Sequence, residues 1–308
     1  MDCSHPSIVK VPNTRKRIPV PCGHCIACRI RKTSEWKLRL MMENDCWSES
    51  SFLTLTYDEE HLPLTPCGHM TLWPDHLKDF LKRVRINLHR WKMKNDEDYK
   101  KRYLAYRSGA LPAPPPLLRY YACGEYGDRF SRPHYHVIIF GSYFKHKGDW
   151  WIHHYEGDKR VYTSNELIDL WPYGLPTVDS VIPQRCAYVA GYVQKKIYYD
   201  HMKYFKEYGC SVYPFSRQSQ GLGLKYLEKH RDFFYRNGNI RPVFRGVSYT
   251  VPRYFLKKDE KMKCDIQALS NQHKSENMLR EQEYYDLLYE GVYAQKEREL
   301  KSRSKLKR

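Results

Sequence analysis

Two histidines set inside a short apolar run constrain this chain more than any other segment. Residues 133–140 read PHYHVIIF. Side chains of a strand alternate between faces, so His134 and His136 point one way while Tyr135, Val137 and Ile139 point the other. The preceding GDRFSRP, residues 127–133, is rich in Gly, Pro, Ser and Asp and predicts a turn. That turn folds RYYACGE, residues 119–125, back beside the histidine strand and brings Glu125 close to both rings. Two imidazoles and one carboxylate make a three-ligand set for a divalent cation, with positions left open for substrate oxygens. A hairpin here requires antiparallel neighbours, so a doubly wound parallel fold fits poorly. The expected class is α+β, an antiparallel sheet with packed helices.

A second cluster of reactive groups lies about fifty residues downstream, in CAYVAGYVQKKIYY, residues 186–199. Tyr188 and Tyr192 are four apart, and Lys195 and Lys196 follow at three and four, so a helix places all of them on one face. A phenol with a pKa of about 10 is a poor nucleophile at neutral pH unless positive charge or a polarised electrophile assists it. A lysine one turn away and a cation gripping a phosphate would supply both; the plain alternative for the lysines is a basic helix face.

The order of these segments carries a resemblance. FLTLTY (Phe52 to Tyr57), then His-Tyr-His, then YVAGYVQKK resembles the HUH endonucleases. Within them it is most similar to the replication initiators of small circular single-stranded DNA phages, the microviruses, and particularly their gokushovirus branch. Phrases such as PCGHCIACR, EYGDRFSRPHYHVIIFG and PFSRQSQGLG extend the likeness over roughly residues 20–235. The resemblance implies an RRM-like palm and rolling-circle initiation: a tyrosine attacks a DNA phosphate, stays joined to the 5′ end and frees a 3′ hydroxyl for a polymerase. It implies Tyr188 and Tyr192 as nucleophiles with Lys195 and Lys196 beside them. Glu125, His134 and His136 are the implied ligands of magnesium or manganese. The implied partners are single-stranded DNA, a replication origin and host replication proteins, in the cytoplasm of a bacterial host. A transposase or relaxase of the same chemistry is the nearest alternative. A noncatalytic DNA-binding or packaging protein would need the basic charge without the metal triad.

Composition points independently toward nucleic acid. Fifty-three Lys and Arg against 35 Asp and Glu leave a formal charge of +18, and 27 tyrosines and 7 tryptophans help raise the aromatic share to 15%. Basic side chains attract phosphate and aromatic faces stack unpaired bases, a mixture suited to single strands. No run of 18 apolar residues exists, and the N-terminus MDCSHPSIVKVPNTRKR lacks a signal-peptide core, so neither a membrane partner nor export is expected. No GxGxxG or GxxxxGK[ST] string appears, so no nucleotide-binding loop or fused helicase is expected. Ten cysteines in a long intracellular chain are read as free thiols or metal ligands. Cys22, Cys25 and Cys28 have a spacing that can wrap structural zinc, with Cys46, Cys67, His69 or His24 as a fourth ligand. Reduced cysteines at a helix start are the competing reading; the spacing also resembles part of an iron–sulfur ligand run that nothing downstream completes.

The remaining pattern organises the chain into a basic Cys-containing segment (1–50), a nicking domain (51–240) with a Pro-rich insertion near 92–118, and a helical, basic extension (241–308). A helix is predicted over 26–42 with Trp36 and Leu40 facing the core, and a buried strand over 51–57 on which Thr54 and Thr56 share a face. A second helix over 75–91 places Leu77, Phe80, Leu81, Val84, Leu88 and Trp91 on one stripe, with Asp75 as its N-cap. Charged residues and then clustered prolines predict a linker over 92–118. A hairpin follows the histidine strand; its His153 and His154, being adjacent on a strand, are expected on opposite faces. NELIDLWPYG predicts a short helix closed by Pro172 and Gly174, and PTVDSVI a strand whose Asp179 is either a neighbour of the metal or a surface acid. Residues 292–308 hold seven Lys or Arg against two Glu, a basic tail.

Overall fold

The alternating pattern around the histidines becomes the centre of a seven-stranded sheet. A computed structural model describes residues 3–127, 130–144, 149–157, 159–199, 212–232, 234, 242–277 and 289–299. Its strands are β1 (Ser7–Lys10), β2 (Arg17–Val20), β3 (Ser50–Thr56), β4 (Arg119–Tyr126), β5 (Pro133–Phe140), β6 (Trp150–Glu156), β7 (Lys159–Ser164), β8 (Pro176–Ser180), β9 (Phe215–Gln218), β10 (Val243–Phe244) and β11 (Val247–Ser248). Its helices are α1 (Ile26–Asn44), α2 (Pro74–Asn95), α3 (Glu97–Arg107), α4 (Asn165–Leu170), α5 (Pro183–Tyr199), α6 (Leu224–Lys229), α7 (Arg253–Leu256) and α8 (Glu260–Asn277).

The chain divides into two compact units. One comprises Arg39–Tyr226 and holds the large sheet, in the order β6-β7-β8-β3-β5-β4-β9, with every neighbouring pair antiparallel. This is the expected α+β class, consistent with an HUH-like palm. The predicted turn joins β4 to β5 and sets Glu125 directly opposite His134. Tyr135, Val137 and Ile139 fall on the other face, in a core with Leu53, Leu55 and the buried stripe of α2: Leu77, Phe80, Leu81, Val84 and Leu88. Full burial of each such side chain contributes about 1.5–3 kcal/mol, so this stripe fixes α2 under the sheet. Trp91 is only half-buried.

Hydroxyls lock the same face. Tyr135 Oη donates to the Trp73 carbonyl and accepts from the Trp73 amide, each at 2.8 Å, and lies 3.0 Å from Tyr57 Oη. Burial pushes the Tyr135 phenol up to about 12, although the hydrogen bonds from Tyr57 and the Trp73 amide act the other way. These contacts hold the segment entering α2. The cap differs from the expected one: Trp73 occupies the N-cap position with no side-chain bond, Pro74 opens the helix, and Asp75 lies in the first turn. Proline needs no amide partner there, so the helix starts one residue earlier than a capping aspartate would set it.

Gly174, at φ +149°, runs so close to β3 that an added Cβ would lie 2.3 Å from the Asp58 amide nitrogen. The chain can therefore leave α4 and enter β8 only with glycine at this point. The charged half of the segment read as a linker is α3, capped by Asp96, whose side chain accepts from the Tyr99 amide. No residue of α3 is buried, which is why no apolar period announced it.

The other unit comprises Met1–Leu38 and Leu227–Arg308. It holds the β1–β2 hairpin, most of α1, and the β10–β11 hairpin followed by α7 and α8. Phe255 is fully buried and meets Phe234 edge-on at 6.0 Å, while Arg231 pairs with Asp259 at 2.8 Å. Within α1, Leu40 is fully buried as expected and Trp36 is half-buried. Among the described residues, no helix is long and apolar enough to cross a membrane.

Candidate active site

On the sheet face opposite the α2 core, three strands each deliver one polar side chain to the same place. Register sets His136 of β5 between Thr54 of β3 and Cys123 of β4, and His134 between Thr56 and Glu125. His134 Nε2 lies 2.9 Å and His136 Nε2 3.1 Å from Glu125 Oε1. The far ring nitrogens are also engaged: His134 Nδ1 is 3.1 Å from the Arg132 carbonyl oxygen and His136 Nδ1 3.1 Å from Thr54 Oγ1. A ring whose Nδ1 is held in this way presents Nε2 for ligation. Thr54 therefore borders the site, as its strand position predicted. Thr56 instead donates to the Leu175 carbonyl.

Helix α5 covers this face. Cys186, Val189 and Ala190 are buried along one side of the helix, which packs on β4 and β9. Tyr188 sits beside that stripe and donates from its hydroxyl to Glu125 Oε1 at 3.1 Å, with His136 Nε2 3.4 Å away. The Tyr188 and His136 rings meet edge-on at 5.0 Å, and Phe52 stacks on the same imidazole at 5.5 Å. Arg185, one turn before Tyr188, lies over the Phe52 ring at 5.3 Å and pairs with Asp179. Asp179 thus acts on an arginine at the rim and not on the histidines. Phe52 and Arg185 were missed from sequence, since an aromatic in a strand and a cation on a basic helix carry no chemical signature of their own.

The electrostatics favour a cation. Glu125 is 1% exposed. Burial alone would raise its carboxyl, but the hydrogen bonds to His134 and His136, together with their charge, outweigh that and hold it below its ordinary value. Its Oε1 serves both histidines and Tyr188, whereas Oε2 is buried with no hydrogen-bond partner. A buried carboxylate oxygen left without a partner is costly. Together with two converging Nε2 atoms, it fits the donor set that binds divalent metals.

Tyr192, Lys195 and Lys196 belong to α5, but their side chains lie outside the described residues. The rival pair behaves differently from expectation. A β-bulge between Ile152 and His154 breaks the alternation, and His153 Nδ1 and His154 Nδ1 stand 2.7 Å apart. The extra residue of a bulge turns neighbouring side chains toward one another. No third ligand joins this pair among the described residues. Cys22, Cys25 and Cys28 do converge, and their companion is Cys3, none of the four residues considered from spacing. All described cysteines are free thiols.

Comparison with known proteins agrees with this geometry. Residues 50–197 match a family of replication-associated proteins described under the name ORF2, a span that includes every residue of the site. The chain is 32% identical to replication-associated protein VP4 of Bdellovibrio phage phiMH2K, over 76% of this chain and 65% of that one. It is 32% identical to replication-associated protein ORF4 of Chlamydia phage 1, over 77% and 52% of the two chains. Against replication-associated protein ORF2 of Spiroplasma virus 4 it is 27% identical, over 79% and 68%. The matches therefore span about half to two thirds of the length of these curated relatives. No solved structure matches.

Proposed function

We propose that this chain, which resembles the replication-associated proteins of microvirus-like phages, initiates rolling-circle replication by nicking single-stranded DNA at an origin. The observation that carries this reading is the Tyr188 hydroxyl, delivered by α5 to within 3.1 Å of the carboxylate that both histidines share. A phenol brought to a buried His-His-Glu group is the arrangement that tyrosine transesterification needs, because the nucleophile must meet the phosphate where its charge is offset.

Glu125, His134 and His136 would hold a divalent cation there, which when bound supplies Lewis-acid polarisation of the scissile phosphate. The chain's own groups do the rest. Thr54 and the Arg132 carbonyl fix the two imidazoles, and Glu125 Oε1 aims the Tyr188 hydroxyl. The Tyr188 oxygen forms a bond to phosphorus as the P–O3′ bond breaks. The phenol loses a proton and the departing 3′ oxygen gains one, so one phosphodiester replaces another with no outside energy source. The 5′ phosphate stays on the tyrosine and the 3′ hydroxyl is free for a polymerase. Tyr192, one turn further along α5, is the second nucleophile that would cut the regenerated origin, after which the freed 3′ hydroxyl closes the circle by attacking the first phosphotyrosine. Lys195 and Lys196 would lower the phenol's pKa or hold a phosphate.

The test is covalent capture. Full-length protein is incubated with magnesium or manganese and circular single-stranded DNA of the phage genome, denatured in detergent, and digested, and the modified peptide is identified. The expected adduct is a 5′-phosphotyrosine at Tyr188 or Tyr192, absent from the double Phe variant and from the chelated reaction. Sequencing the captured 5′ end identifies the origin. Binding without any adduct would favour the noncatalytic DNA-binding reading, and an adduct surviving in the double variant would remove the nucleophile assignment.

A further inference from the structure

Outside the active face, the densest group of ligating side chains lies in the first 28 residues. Cys3 precedes β1, Cys22 follows β2, and Cys25 and Cys28 sit at the start of α1, so three separate stretches bring one set of thiols together. The four Sγ atoms all lie within 4.8 Å of one another. We propose that Cys3, Cys22, Cys25 and Cys28 form a tetrahedral zinc site that staples the β1–β2 hairpin to the start of α1.

Geometry distinguishes this from reduced cysteines that happen to be close. A tetrahedron with Zn–S bonds of about 2.3 Å has edges of about 3.8 Å, and Cys3 Sγ lies 3.7 Å from Cys25 Sγ. The backbone is arranged around sulfur as well. Gly23, at φ +79°, turns the chain so that the amides of His24 and Cys25 donate to Cys22 Sγ at 3.4 and 3.3 Å. The Cys22 amide donates to Cys3 Sγ at 3.3 Å. Amides directed at sulfur offset the charge that thiolates carry when bound to metal, and Arg31, with its guanidinium 3.9 Å from Cys28 Sγ, adds to that. Ligation releases the four thiol protons and leaves the Zn–S₄ group with two negative charges.

The hairpin also needs such a staple. β1 and β2 are two short strands whose side chains are almost all exposed, Ile8, Val9 and Ile18 among them. A lone two-stranded hairpin without a buried face is marginal in water. Tying its two ends to α1 closes it where no core does, and holds Lys10, Arg15, Lys16 and Arg17 in one place.

The test uses the full-length chain. Cobalt added to metal-free protein should give a sulfur-to-cobalt charge-transfer band and the intense visible bands of a tetrahedral site. These should saturate at one equivalent and be bleached by zinc. They should persist in the His134→Ala/His136→Ala variant, which separates this site from the active face, and disappear in Cys25→Ser. In case that variant misfolds, alkylation of zinc-loaded wild type gives an independent reading: Cys3, Cys22, Cys25 and Cys28 should be protected while exposed Cys67 and Cys264 react. Chelation should then expose all four and accelerate tryptic cleavage at Arg15–Arg17. Absence of a sulfur charge-transfer band, alkylation of Cys3 as fast as Cys67, or purified protein carrying iron in place of zinc would each overturn the assignment. None of these outcomes depends on nicking activity.

Discussion

At the scale of single residues, Glu125 explains the site, since one of its oxygens meets both imidazoles and the phenol while the other is buried without a partner. Its neighbours matter through what they hold. Thr54→Val keeps the shape of the side chain but removes the oxygen 3.1 Å from His136 Nδ1, and the ring is then free to turn. Loss of a partner of this kind costs metal affinity or activity about 10- to 100-fold. Thr54→Val is therefore expected to need more manganese for half-maximal cleavage, with an unchanged melting temperature in the absence of metal. A proportionate loss at saturating metal would instead mean that Thr54 acts on the DNA. The tyrosines make the sharper prediction. Tyr188→Phe and Tyr192→Phe are each expected to retain some single-turnover cleavage with a covalent adduct, without repeated nicking and circle closure. Circle closure at the wild-type rate by either single variant would mean that one phenol suffices.

At the scale of elements, the sheet holds the site in place from its opposite face. Tyr135 lies between the two metal-site histidines in sequence, yet its hydroxyl exchanges two hydrogen bonds with Trp73 on the α2 side. Tyr135→Phe leaves the Trp73 amide and carbonyl without that partner, a loss of about 1–3 kcal/mol, to be read as a lower denaturation midpoint at neutral pH. Because burial raises this phenol to about 12, its contribution is complete below the unfolded value of about 10 and is lost as pH rises through 12. The variant should accordingly show a shallower alkaline loss of stability than wild type, and equal slopes would mean that Tyr135 does not ionise in that range. This hairpin was legible because two-residue alternation and a Gly-Pro turn are local properties, which brought Glu125, His134 and His136 together on paper. The bulge at His153 and His154 was not, because it depends on how β7 pairs with β6. Cys3 was not either, since a hairpin, and no fixed spacing, closes the 19 positions to Cys22. Helix α3 buries nothing and so lacks the apolar stripe by which α2 announced itself.

At the scale of the whole molecule, the charge of +18 and the small buried site divide the labour between holding DNA and cutting it. Phosphate contacts are set by lysines and arginines distributed over the chain, whereas the bond change depends on a few groups that a strand reaches only after it is bound. Removing both imidazoles with His134→Ala/His136→Ala should therefore leave single-stranded DNA affinity within a few-fold of wild type while abolishing the covalent adduct. Both proteins should lose affinity as salt rises, with a slope of about −0.7 for every phosphate neutralised on a single strand, and with the same slope, since neither histidine is counted among the fixed cations at neutral pH. Titrations at several salt concentrations measure this directly. A markedly flatter slope in the double variant would place the histidines among the phosphate-holding groups, and an adduct at wild-type yield would mean that the His-His-Glu group is not where the tyrosine acts.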